Sequence, residues 1–289
     1  MRICLMIEGQ EGVTWPQWVA LARAAEAARL DGLFRSDHYR AIVRRSPNGS
    51  LDAWATLAGL AAVTDRIRLG TLVSPVTFRP PAVLAKNVVT VDHISNGRVE
   101  LGIGAGWYEA EHDTYGFPFG TTRDRLDELD RQLVEITRQW TTDPDTWPRP
   151  LQQPRPPIIV GGGAKPRTVQ AAIAHADEYN TVWPSVEEAR ERKRIIDEAA
   201  AAAGREPLRF SIMTGCVVGR DEDDLQKRLT AFRTLTGNDS PPLAGTVGQV
   251  AERLRAYEEA GVERAMLQHL VHEDVEMVHV LGELAAALR

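Results

Sequence analysis

One unit recurs eight times along the chain: a short apolar run of strand length, a turn, then a segment with the periodicity of a helix buried on one face. The strands read as 2–7 (RICLMI), 31–36 (DGLFRS), 67–73 (IRLGTLV) and 98–106 (RVELGIGAG), followed by PPIIVGGG, EYNTVW, RFSIMTGCVVG and ERAMLQHL. Helical segments lie between them. Thr14 opens a capping box with Gln17, Pro81 suits a first helical turn, and Asn96-Gly97 suits a left-handed helix stop. Strands alternating with helices imply a parallel sheet, and a count of eight implies that it closes. At 289 residues the unit length is about 36, enough for one strand and one helix. The expectation is a single (β/α)8 TIM barrel over 1–289. An open doubly wound sheet is disfavoured because EGQEGVTW, after the first strand, carries no G-x-G-x-x-G fingerprint.

Composition narrows the function classes. A net charge of −6 gives no basic footprint for nucleic acid. No apolar run approaches the ~20 residues of a membrane span, and MRICLMIEGQ is unlike a signal peptide, so a cytoplasmic location is expected. Cys4 and Cys216 are isolated and read as reduced core thiols.

In a barrel of this kind the site lies where strands end and the following loops begin. That rule places Glu8, Asp37, His38, Gly104-Ala105-Gly106-Trp107, Gly161-Gly162-Gly163, Trp183 and Gln268-His269 on one rim. His38 is a candidate acid or base with Asp37 as its orienter; the alternative is a polar strand end satisfied locally. VGGGAKPRTVQ is a strand, three glycines and a helix start with Lys165 and Arg167 in or beside its first turn. Close backbone approach, unpaired N–H groups and two cations suit a phosphate; the alternative is a tight turn with solvated charges. The acids of WYEAEHDTYGFPF lack regular ligand spacing, so no metal site is expected. Its aromatics, Trp107, Tyr115, Phe117 and Phe119, would either wall a flat ligand or pack the loop down.

Taken together, AEAARLDGLFRSDHY, RIRLGTLVSPVTFRPPAVLAKNVVTVDHISNGRVELGIGAGWYEAEHDTYGFPF and PPIIVGGGAKPRTVQAAIAHADEYN resemble the luciferase-like monooxygenase superfamily over nearly the whole chain. Within it they resemble the oxidoreductases that use the deazaflavin F420 (8-hydroxy-5-deazaflavin). The resemblance implies a bacterial-luciferase-like barrel, a homodimer, and a ring site at the C-terminal mouth acting on a small-molecule organic substrate. It implies a non-prolyl cis peptide at Leu72-Val73 behind the ring, with Gly104, Ala105 and Gly106 lining it. It also implies that Gly161, Gly162, Gly163 and Ala164 hold the phosphate and that His38 stands beside the ring. Glu8, Trp107, Trp183 and His269 are the expected substrate contacts. Relatives acting on glucose 6-phosphate carry a glutamate where this chain has Trp107, and a lysine near Trp183-Pro184-Ser185, so sugar-phosphate oxidation is not expected. Arg40, Arg44 and Arg45 are the cations available for the acidic F420 tail. FMN is the alternative cofactor, in a monooxygenase served by a separate flavin reductase; a catalytically silent flavin-binding barrel is the other alternative.

Overall fold

The computed structural model describes residues 1–43 and 46–289. Among the described residues ten strands are formed: β1 (Arg2–Ile7), β2 (Gly32–Arg35), β3 (Arg68–Thr71), β4 (Ser74–Pro75), β5 (Val99–Gly104), β6 (Ile158–Gly161), β7 (Glu178–Val182), β8 (Arg209–Gly219), β9 (Leu243–Thr246) and β10 (Arg264–Gln268). Every pairing is parallel, and β10 pairs with both β1 and β8, so the sheet closes. The closed ring contains eight strands, because β4 continues the third strand after a break and β9 pairs outside the ring with the end of β8. The break is the expected one: the Leu72-Val73 peptide is cis.

Helices α1 (Trp15–Ala27), α2 (Ala53–Ala62), α3 (Pro81–Ser95), α4 (Glu109–Tyr115), α5 (Thr122–Thr141), α6 (Pro166–His175), α7 (Val186–Ala202), α8 (Glu222–Thr236), α9 (Val247–Glu259) and α10 (Glu276–Ala287) surround it. Local chemistry sets several ends. The Thr14–Gln17 capping box is formed, and α3 begins at Pro81 and stops at Asn96 with φ 54°. On α5, Leu129, Leu133, Ile136 and Trp140 recur on one face and are buried. Two elements lie outside the sequence expectation. Helix α4 is a seven-residue helix whose N-cap residue, Tyr108, makes no side-chain capping bond, and β9 is a four-residue strand buried at alternate positions. No described helix is long and apolar enough to cross a membrane. Cys4 and Cys216 are free and buried, and burial pushes each thiol up to about 12.

Strand alternation builds the barrel interior in layers. Along β10 the inward residues are Arg264, Met266 and Gln268. Along β1 and just past it they are Cys4, Met6 and Glu8. The bottom layer is charged: Arg264 donates 2.7 Å bonds to Glu100 and to Glu178, all three fully buried, and Arg68 also binds Glu100. The middle layer is an apolar plug of Cys4, Met6, Phe34, Leu72, Ile159, Met213 and Met266. The top layer opens as the site.

Burial alone would raise the Glu100 carboxyl, but the Arg264 and Arg68 charges outweigh it and hold the group at about 2. A depressed carboxyl contributes stability above its unfolded value near 4.5, and that contribution is lost as pH falls towards 2. Removing the cation leaves two buried carboxylates facing each other. Arg264→Met should therefore cost about 3–5 kcal/mol in urea unfolding at neutral pH. A loss below about 1 kcal/mol, the scale of an exposed pair, would contradict this role.

Candidate active site

Above the plug lies a cavity of about 970 Å³ at the C-terminal ends of the strands. Its floor is Leu72, Val73 and Met213. Val73 projects at the cis break towards β5, where a Cβ on Gly104 would come within 2.8 Å of its Cγ2. Gly104 is therefore a glycine because the broken third strand passes against it. Gly104, Ala105, Gly106, Trp107, Gly161, Gly162, Trp183, Glu8 and His38 all line the same cavity, as the sequence implied.

His38 stands on the wall, 15% exposed, and its Nδ1 lies 2.8 Å from Glu111 Oε1. The other Glu111 oxygen accepts from the Tyr39 backbone N–H at 3.0 Å. Burial lowers the His38 imidazole, but the hydrogen bond and charge of Glu111 outweigh it, and the net shift is upward. The protonated ring thus persists above its usual range. The pair stabilises the fold fully below pH 6.5, and the contribution fades as pH rises through the raised value. With Nδ1 engaged, Nε2 has no partner among the described residues.

Asp37 does not orient His38, contrary to expectation. Its carboxylate accepts from Ser74 Oγ at 2.7 Å and from Arg79 Nη1 at 2.6 Å. Arg79 also binds Asp52 and the Tyr39 hydroxyl, and the Trp54 indole donates to Ser74. The side-chain direction explains the split. Phe34 and Ser36 point into the barrel, so Asp37 points outward, into a buried network behind the cavity wall. The same parity separates Gln268 from His269. Gln268 lines the cavity, whereas His269 is buried beside it, donates from Nε2 to the Asp274 carbonyl at 3.0 Å, and is driven by burial to about 4. His269 is a neutral packing residue.

The glycine loop is partly self-satisfied. Gly162 N–H donates to Asn180 O and Ala164 N–H to the Tyr179 hydroxyl, each at 3.0 Å, with Ala164 at φ 55°. A Cβ on Gly162 would meet that hydroxyl at 2.8 Å, whereas Gly163 faces open space. Helix α6 begins without a side-chain cap, so its first-turn donors remain for an anion. Exposed Lys165 lies at that point with no ion-pair partner among the described residues. Arg167 is turned away: its guanidinium binds Asp127 at 2.8 Å and Asp130 at 2.7 Å on α5. Arg40 donates to the Ala110 carbonyl and lies over Tyr108, while Arg44 and Arg45 are outside the described residues. The open Gly163 face, the uncapped helix start and Lys165 fit a phosphate-bearing cofactor.

The loop after β5 divides by function. Trp107 lines the cavity, but Tyr115, Phe117 and Phe119 pack with Tyr39, Phe78 and His112 outside it. Residues that sequence reasoning missed are Glu111, Gln10, Asn180, Met213, Thr236 and the 238–242 segment, all on the cavity.

Residues 3–243 match the family model described as luciferase-like monooxygenase. An uncharacterized Mycobacterium tuberculosis protein is 33% identical over a 174-residue alignment that covers 55% of this chain and 59% of the relative. An F420-dependent secondary alcohol dehydrogenase, solved with an F420-acetone adduct, superposes with a TM-score of 0.81 at 17% identity, covering 100% of this chain and 99% of that one. The oxygenating constituent of 3,6-diketocamphane monooxygenase from Pseudomonas putida, solved with FMN, gives 0.78 at 17% identity, covering 99% and 98%. With most of its length inside the family model and its site at the mouth of a closed parallel barrel, the chain belongs to the luciferase-like monooxygenase family of oxidoreductases.

Proposed function

We propose that the protein is an F420-dependent oxidoreductase that moves a hydride between the deazaflavin and a small organic alcohol or carbonyl compound. The observation that carries this reading is the His38–Glu111 pair on the cavity wall. When bound, the deazaflavin supplies a carbon that accepts or gives a hydride. The chain must then manage the matching proton at the substrate oxygen, and His38 Nε2 is the free nitrogen for that task. Glu111 fixes the ring through Nδ1 and favours the protonated form, as a donor to a carbonyl oxygen requires. The apolar plug of the barrel shuts water out from below. Gly163, Lys165 and the start of α6 would hold the phosphate, and the glycines leave the backbone accessible to it.

A second reading, FMN-dependent oxygenation with a separate reductase, is favoured by one observation. Arg167 is neutralised by Asp127 and Asp130, which leaves Lys165 as the cation at the loop, enough for a single phosphate. Absorbance titration with the two cofactors side by side decides between them. F420 should bind at micromolar concentration or tighter and weaken with salt, because the tail contacts are exposed. Tight FMN binding with no F420 binding at low salt would replace the deazaflavin reading.

The loop has its own test. Gly163→Asp sets a carboxylate in open space against the phosphate position without the contact that Gly162 would suffer. Cofactor affinity should fall at least about tenfold while thermal stability is kept. Unchanged affinity would remove the loop from the site.

Turnover separates the two residues at the end of β2. His38→Ala should retain cofactor binding and lose about 10²-fold or more in kcat. Asp37→Asn should instead lower stability, since it loosens the Arg79 network, and leave kcat within about threefold. A kcat loss in Asp37→Asn as deep as that of His38→Ala would return Asp37 to the catalytic role.

A further inference from the structure

Glu8 is distinguished from the other carboxylates on the cavity by its partners. Glu111 faces His38, and Asp239 is paired with Arg233 at 3.0 Å. Glu11 accepts the Ile42 and Val43 backbone N–H groups at 2.8 and 3.0 Å. The direct hydrogen bonds to the Glu8 carboxylate come from neutral amides: Gln268 Nε2 donates to Oε1 at 2.6 Å, and Gln10 Nε2 donates to Oε2 at 2.9 Å. The nearby cationic groups, buried Arg35 and His38, act on it through charge alone and form no direct ion pair with it. Gln10 is itself fixed, its Oε1 accepting from Ser36 Oγ at 2.5 Å. Two donating amides, that of Gln10 fixed in turn by Ser36, hold the carboxylate as an acceptor without neutralising it by a direct ion pair.

A carboxylate has about four acceptor positions, and these two bonds leave others for an incoming donor. Glu8 is 8% exposed, so the charge is presented in a largely desolvated place, where a cation is worth far more than at the surface. The walls agree. Trp107 and Trp183 present indoles 63% and 56% exposed on the same cavity. Trp183 keeps φ at 46°, a conformation costly for a bulky residue and typical of ligand clamps. Exposed indole faces attract organic cations. Among the described residues, no lysine or arginine lines the cavity.

We propose that the substrate is a small alcohol or carbonyl compound bearing a positively charged amine, which the Glu8 carboxylate receives while the Trp107 and Trp183 indoles flank it. This inference rests on the oxidoreductase reading for the reacting group, but the charge preference is read by binding alone.

The test uses three compounds of like size and opposite charge: N-methyl-4-hydroxypiperidine (cation), cyclohexanol (neutral) and 4-hydroxycyclohexanecarboxylate (anion). Binding is followed by calorimetry and tryptophan fluorescence, on the full chain without cofactor and again with F420. The cation should bind at least about tenfold tighter than cyclohexanol, and the anion weaker than both. In Glu8→Gln, cation and neutral compound should bind alike, with cyclohexanol affinity unchanged as the sign of an intact cavity. An anion that binds as well as the cation, a cation no better than cyclohexanol, or no cation binding at millimolar concentration would overturn the proposal. A cation preference that survives Glu8→Gln would overturn the assignment to Glu8. The wild-type series stands even if that variant fails to fold. Failure of F420 to bind would count against the oxidoreductase reading and leave the charge order to be read on its own.

Discussion

The site depends on the ring of strands closing, and Arg264 holds that closure from inside. Its guanidinium joins β10 to β5 and β7 across the barrel, and Glu100 extends the link to Arg68 on β3. Four strands spread around the ring thus meet in one buried ion cluster. A closed parallel ring also fixes the parity of every strand. Once Arg264 points inward, so do Met266 and Gln268. Charge fills the bottom, sulfur, aliphatic groups and the Phe34 ring fill the middle, and the groups at the top are left to face a cavity.

Parity also shows what was legible in the sequence. The barrel was readable because its signals are local: buried strand runs, the Thr14–Gln17 box, the Asn96-Gly97 stop. The glycines at 104 and 161–163 and the cis bond at Leu72-Val73 were readable through resemblance to a family that uses them. Gln268 against His269 was readable in principle, since alternation from Arg264 selects the even positions. Histidine drew attention by its chemistry, and the geometry of the strand decided otherwise.

Charge partners were not legible. Glu111 stands 73 positions from His38, on a short helix without a side-chain cap, in a loop whose acids looked alike. Arg79 takes Asp37 from 42 positions away, and Asp127 and Asp130 take Arg167. Each arginine found the carboxylate that folding set closest, and nothing local in the sequence ranks those candidates. The outcome changes the chemistry. Pairing His38 with Glu111 puts a charged acceptor directly against the ring on the cavity wall, while Asp37 is spent on holding the loop behind it.

At the cavity wall, Glu111 holds the His38 imidazole above its ordinary titration range. Histidine ring resonances followed by NMR across pH, in the wild type and in Glu111→Gln, measure it without a substrate. His38 should titrate above 6.5 in the wild type, and clearly lower in the variant, where burial then acts with no opposing charge. A His38 that titrates at the same pH in both proteins, or that moves in Asp37→Asn instead, would contradict the assignment.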